Sequence, residues 1–149
     1  MELYIESSVF NFMFAEDALE KQKITKTFFI EKLKNFEGYV SDLVFDELDK
    51  TKEPKKSALL DLISKHPLKI LKINEETLKL ARIYVSEKII PEKFLNDALH
   101  IAVATVNRID IIVSWNLEHI VKIKTIVGVN KINLKQGYKQ IFIVTPEEI

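Results

Sequence analysis

The sequence predicts an α/β domain on a central, mainly parallel sheet of four to five strands. Three observations predict it: short β-branched runs, segments of helical period between them, and little material for long loops. Runs such as Ile111-Ile112-Val113 and Ile141-Phe142-Ile143-Val144 are apolar at consecutive positions, as in strands covered on both faces. Strands alternating with helices imply right-handed crossovers. The 149 residues are 47% hydrophobic with three glycines and four prolines, which fits one core, one domain over 1–149, and no internal boundary or repeat.

Taken in order, the first strand is Leu3 to Ile5. Phe10, Phe12, Met13 and Phe14 follow on one short helix, a larger apolar payload than a single neighbour requires, so part of it is expected to meet another subunit. Ala18 to Asn35 carries Ile24, Phe28, Leu33 and Phe36 near helical spacing and reads as a surface helix. The second strand, Tyr39 to Ser41, enters a helix holding Asp42, Asp46, Glu47 and Asp49; Asp42 is placed to cap it, and Asp46 and Asp49 point to its other faces. Pro54 opens the next helix, with a stripe of Leu59, Leu60, Leu62 and Ile63. Leu68 to Leu71 is the third strand. Glu75 to Lys88 is a helix with Asn74 as its N-cap, and Pro91 to Arg108 is another, repeating Phe94, Ala98, Ile101, Ala102 and Thr105. Ile111 to Ser114 and Ile141 to Val144 complete the sheet.

Lysine and arginine total 22, as do aspartate and glutamate, so the net charge is zero and whole-chain attraction to nucleic acid or an anionic membrane is excluded. The absence of cysteine removes disulfides, thiolate metal sites and thiol nucleophiles, and fits a reducing cytoplasm. The opening Met1-Glu2-Leu3 has neither a basic segment nor an apolar h-region. The longest uncharged run, Ala98 to Asn107, falls far short of the ~20 residues of a membrane span. A cytoplasmic protein without membrane contact is expected. No glycine-rich phosphate cradle and no Ser-His-Asp setting is present, which excludes nucleoside-triphosphate hydrolysis and acyl transfer.

The ligand crevice of an open parallel sheet lies beyond the carboxyl ends of its strands. Four polar residues fall there. Glu6 follows the first strand directly; Glu47 lies within two turns of the helix leaving the second, about 9 Å along its axis; Asp97 is in the first half of the helix that runs down to the fourth strand; Asn116 is two residues past Ser114. Carboxylates ~4 Å apart repel by several kcal/mol at an effective dielectric of 20, so a close group either takes up protons or holds a cation. All-oxygen ligands suit Mg²⁺ or Mn²⁺, ions that pair with substrate phosphate. Such a site points to metal-assisted phosphodiester hydrolysis, with a carboxylate orienting water or accepting its proton.

At these positions the chain resembles the PIN domain family, nucleases found as toxin ribonucleases in toxin–antitoxin pairs. The likeness is carried by Ile5-Glu6-Ser7-Ser8-Val9, by Glu47-Leu48, by Asn96-Asp97-Ala98-Leu99-His100-Ile101-Ala102, and by Val113-Ser114-Trp115-Asn116, and it spans the whole length. It implies a three-layer α/β/α fold and a Mg²⁺ or Mn²⁺ site at Glu6, Glu47 and Asp97, with Asn116 as a fourth catalytic position. Cleavage of single-stranded RNA, an antitoxin partner and a homodimer are implied with them. Glu6 and Asn116 stand where the family usually has aspartate.

An alternative is a PIN-like interaction module that keeps the fold without catalysis. A phosphoryl-accepting receiver domain would need an aspartate ending its third strand, where Leu71 and Lys72 stand. Five lysines and no acid between His119 and Gln140 form either a phosphate-gripping rim or a solvated helix face; Lys50, Lys52, Lys55 and Lys56 share that ambiguity. His100 is on the same helix face as Asp97, within hydrogen-bond reach, and reads first as a packing residue, while Trp115 and Tyr138 read as core cover rather than base-stacking platforms.

Overall fold

The computed structural model describes residues 1–149. Its sheet has five strands, all parallel, in the order β3-β2-β1-β4-β5: β1 (Glu2–Ile5), β2 (Glu37–Ser41), β3 (Lys69–Leu71), β4 (Ile111–Val113) and β5 (Phe142–Val144). β1 is central, with Tyr4 opposite Tyr39 on one side and Ile112 on the other. The absence of alternation toward solvent has the expected cause. Tyr4, Ile112 and Ile143 face one layer, while Leu3, Ile5, Val40, Ile111 and Val113 face the other, so successive side chains of the inner strands both enter a core; the edge strands differ, Phe142 of β5 and Ile70 of β3 being exposed because no neighbouring strand or helix covers them there.

The second of these layers holds α1 (Ser7–Phe12), α2 (Leu19–Thr27), α3 (Asp42–Asp49) and α4 (Lys55–Ser64); the first holds α5 (Glu75–Ser86), α6 (Leu95–Val106) and α7 (Ile123–Lys135). α6 is buried without interruption from Ala98 to Thr105, because it lies between the sheet and α5. Small alanines at 98, 102 and 104 permit that close approach, and each fully buried Ile or Leu in this layer contributes about 1.5–3 kcal/mol. Polar side chains inside it are paired: the Tyr84 hydroxyl donates to Asn133 Oδ1 and the Asn133 amide reaches Thr105 at 3.4 Å, tying α5, α7 and α6 together.

Several boundaries differ from the sequence reading. The helix expected over 18–35 is α-helical only to Thr27, then turns through a π segment (Phe28–Lys32) and a 3₁₀ turn (Leu33–Asn35). Phe28 and Leu33 are five residues apart, and the wider turn, closed by Leu33 N–H to Phe28 O, brings both into the core. Pro91 starts no α-helix: its backbone is extended, and a 3₁₀ turn (Glu92–Phe94) precedes α6. Ser41, not Asp42, caps α3, its hydroxyl accepting from Leu43 N–H at 3.3 Å. Leu60 is exposed while Leu59, Leu62 and Ile63 are buried, since the latter three stand at i, i+3 and i+4 on one helix face and Leu60 lies outside that stripe. Asn74 caps α5 as expected, in a reciprocal box with Thr77.

α5 and α6 end alike. Lys88 and Arg108 take left-handed backbone (φ 60° and 59°), and the following amides reach back, Ile89 to Tyr84 O and Ile109 to Ala104 O, both at 3.0 Å. These are Schellman closures built without glycine. α7 ends in the same way with Gly137 at the left-handed position. No helix is long and apolar enough to cross a membrane.

Candidate metal centre

Glu6 leaves β1 in extended backbone and turns its side chain back as the N-cap of α1, accepting from Ser8 N–H at 3.0 Å. Two hydroxyls converge on its Oε1, Ser8 at 2.6 Å and Ser114 at 2.5 Å. Ser114 is there because β4 pairs beside β1 and ends level with it. The same hydroxyls accept from the loop after β4: Trp115 N–H donates to Ser8 Oγ at 2.8 Å and Asn116 N–H to Ser114 Oγ at 2.9 Å. Glu6 is 4% exposed, so its charge is held by charge-assisted hydrogen bonds rather than by water.

Glu47, half-buried on the second turn of α3, meets His100 of α6: Nε2 to Oε1 is 2.6 Å. The other ring nitrogen, Nδ1, lies 2.6 Å from the Tyr4 hydroxyl, which lies 2.7 Å from Ser41 Oγ. A continuous polar chain thus crosses the core from the α3 cap to the Glu47 carboxylate. Burial pushes the Glu47 pKa up, but the hydrogen bond and charge of His100, with help from the Ser7 hydroxyl and Lys50, hold it below its ordinary value. For His100 burial works against the charged ring, and the Glu47 bond with the charges of Glu6, Glu47 and Asp97 raises its pKa nonetheless. Burial keeps Tyr4 a neutral phenol.

Ligand atoms of Glu6, Glu47 and His100 all lie within 4.8 Å of one another. Asp97 is not in that group. It is half-buried at the same edge, on the first turn of α6, where burial and then the charge of Glu6 raise its pKa; His100, His119 and the Asn116 amide partly offset them. Asn116 Oδ1 accepts from His119 N–H at 3.0 Å, so its side chain shapes the turn after β4. The structure therefore gathers Glu6 and Glu47 tightly, adds His100, and keeps Asp97 and Asn116 at the margin.

The donor set fits a hard or borderline divalent cation. Two carboxylates and an imidazole converge, and the Ser7 hydroxyl, on a residue 2% exposed, has no hydrogen-bond partner of its own. Its contribution to Glu47 comes from proximity, without the distance and angle of a formed bond. A bound ion with its waters would supply the missing partner.

His100 and its Tyr4–Ser41 support went unread as site residues. Their signal was a lone histidine in the otherwise apolar stretch from Ala98 to Ala104, facing Glu47 rather than bonding Asp97. Trp115 is 6% exposed and donates Nε1–H to Thr25 at 2.8 Å, and Phe12 packs against it. Tyr138 donates to Glu76. Lys122 and Lys124 flank the first residue of α7, Lys131 and Lys135 lie in its later turns, and Lys139 pairs with Asp110 at 2.7 Å at the start of β4. Lys56 pairs with Asp49 at 3.3 Å.

No family model matches the sequence, and no curated protein does. Among solved structures, the fold is similar to a chain in the crystal structure of VapBC2 from Rickettsia felis bound to a DNA fragment from their promoter. The TM-score is 0.56 at 16% identity, covering 97% of this chain and 98% of that one. At that identity the likeness carries the fold, end to end: a PIN-like three-layer α/β/α architecture around a parallel sheet.

Proposed function

We propose that this PIN-like chain is a toxin-type, metal-dependent ribonuclease that cuts single-stranded RNA. The observation that carries the reading is the convergence of Glu6 and Glu47, with Asp97 electrostatically coupled to Glu6, at the carboxyl edge of a parallel sheet. Glu6 and Glu47, with Asp97 beside them, would hold Mg²⁺ or Mn²⁺, which when bound would supply Lewis acidity toward the phosphate and lower the pKa of a bound water. The chain's own residues do the rest. Ser8 and Ser114 fix the Glu6 carboxylate, His100 fixes that of Glu47, and Asp97, with its raised pKa, is suited to accept a proton from the attacking water. Asn116 orients Asp97. The neighbouring complex supports an antitoxin as partner, and the exposed Phe14 and Leu19 beside α1 offer apolar surface for it or for a homodimer, in the cytoplasm.

One observation favours the second reading, a catalytically silent interaction module: Glu6 already engages both carboxylate oxygens within the protein. Incubating the chain with single-stranded RNA and Mg²⁺ or Mn²⁺ decides between them. The ribonuclease reading expects metal-dependent cleavage that disappears in Asp97→Asn with the fold retained; cleavage by that variant at the parent's rate would misassign the site, and absence of cleavage with either ion would leave the interaction module.

A further inference from the structure

We propose that His100 is a nitrogen ligand of this centre, which makes it a mixed imidazole–carboxylate site that prefers a first-row transition ion to Mg²⁺. The proposal rests on the ribonuclease reading for the presence of an ion at Glu6 and Glu47, and goes beyond it in assigning a ligand and a metal class.

The geometry is already close to that of a shared ion. His100 Nε2 and Glu47 Oε1 are 2.6 Å apart, and neighbouring ligands at about 2.1 Å in an octahedron stand about 3.0 Å apart. That pair needs a few tenths of an ångström of opening. The Glu6 carboxylate completes a set of ligand atoms within 4.8 Å. His100 is 1% exposed on a helix buried along both flanks, so the ring cannot swing away to leave the carboxylates to themselves.

The support behind the ring is the kind that ligating histidines have. Such rings donate their second N–H to a fixed acceptor, which sets the tautomer. Here Nδ1 faces the Tyr4 oxygen at 2.6 Å, and the Tyr4 hydroxyl faces Ser41 Oγ at 2.7 Å. Both hydroxyls rotate, so the chain can run in either direction. Directed from Nδ1–H to Tyr4 to Ser41, it leaves the Nε2 lone pair facing Glu6 and Glu47; the hydrogen shared with Glu47 leaves to solvent as the ion takes its place. The Ser7 hydroxyl, buried and without a partner, then bonds a metal-bound water. Imidazole ranks transition ions above Mg²⁺, which favours oxygen throughout.

Mn²⁺ titrated into the full chain, followed by pulsed electron paramagnetic resonance and by calorimetry against Mg²⁺, tests this directly. The parent is expected to show ¹⁴N coupling of an imidazole to Mn²⁺, retained in His119→Gln and lost in His100→Gln. Mn²⁺ affinity should fall about tenfold or more in His100→Gln while Mg²⁺ affinity changes by less than about threefold. Tyr4→Phe keeps the ring but removes its acceptor, and should weaken Mn²⁺ about 10–100-fold with the ¹⁴N coupling intact; it serves if His100→Gln fails to fold. Mn²⁺ bound without ¹⁴N coupling, or equal losses for the two ions, overturns the assignment and leaves the ribonuclease reading standing. No Mn²⁺ binding at all overturns both.

Discussion

Replacing Ser114 by alanine probes the clamp on Glu6. Two interactions go: the 2.5 Å bond from the Ser114 hydroxyl to Glu6 Oε1, and the 2.9 Å bond from Asn116 N–H to the same hydroxyl. The first is charge-assisted and sits where both residues are buried, so about 1.5–3 kcal/mol is at stake. The second leaves a half-buried amide that water partly serves, adding about 0.5 kcal/mol. Ser8 still gives Glu6 two bonds, which limits the loss to about 2–3 kcal/mol at neutral pH, or a fall in Tm of about 5–10 °C for a domain of this size. Urea titration at pH 7 measures it as a lower midpoint with an unchanged slope. A double-mutant cycle with Glu6→Gln separates the charge: the Ser114→Ala penalty should shrink by about 1 kcal/mol or more once residue 6 is neutral. A loss below about 0.5 kcal/mol, or one indifferent to the charge at position 6, would refute the idea that these hydroxyls hold a buried carboxylate in place.

Asp97→Asn should raise stability at neutral pH while abolishing cleavage: a carboxyl whose folded pKa is raised contributes stability only in its protonated form, present below the unfolded value of about 3.9 and lost as pH climbs through the folded one. Denaturation midpoints at pH 7 and pH 3.5 check it, the gap closing at the lower pH. Asp110 has the opposite sign. Hydrogen bonds from Lys139 and from the Glu2 amide lower its pKa, so its contribution is present above about 3.9 and fades as pH falls through the lower folded value; Asp110→Asn should cost about 0.5–1 kcal/mol at pH 7 and almost nothing in strong acid. Arg108→Gly relieves a left-handed side chain and should gain about 0.5–1 kcal/mol by thermal melting. Ile101→Ala, in the fully buried face of α6, should lose about 2–5 kcal/mol by urea titration.

The inner strands were legible because burial on both faces writes itself into the sequence as apolar runs, and all five strands fall within a residue or two of the β-rich runs, although the edge strands β3 and β5 leave Ile70 and Phe142 exposed. The ends of the helices were less so. Nothing in the local pattern distinguishes a π turn at Phe28 from a continuing α-helix until the partners of Phe28 and Leu33 are known. The expected ends at Lys88 and Arg108 lie two residues past those of α5 and α6, but the left-handed backbone at both was not legible, because it is a conformation that glycine usually marks. Glu6 and Glu47 were readable from their place after β1 and β2. The nearness of His100 to them was not, because it depends on the rotation of α6 about its axis, which the packing of Ala98, Ala102 and Tyr4 sets. That same rotation leaves Asp97 on the margin of the cluster.

The strand order has a consequence for timing. β1, β2 and β3 adjoin one another in both sequence and space, whereas β4 inserts on the free side of β1 only after α5 and α6 have been made. A chain still emerging from the ribosome carries Glu6, Glu47 and Asp97 well before Ser114 exists to hold the first of them. The buried carboxylate of Glu6 therefore gains its full set of hydrogen bonds late, with the docking of β4 beside the central strand.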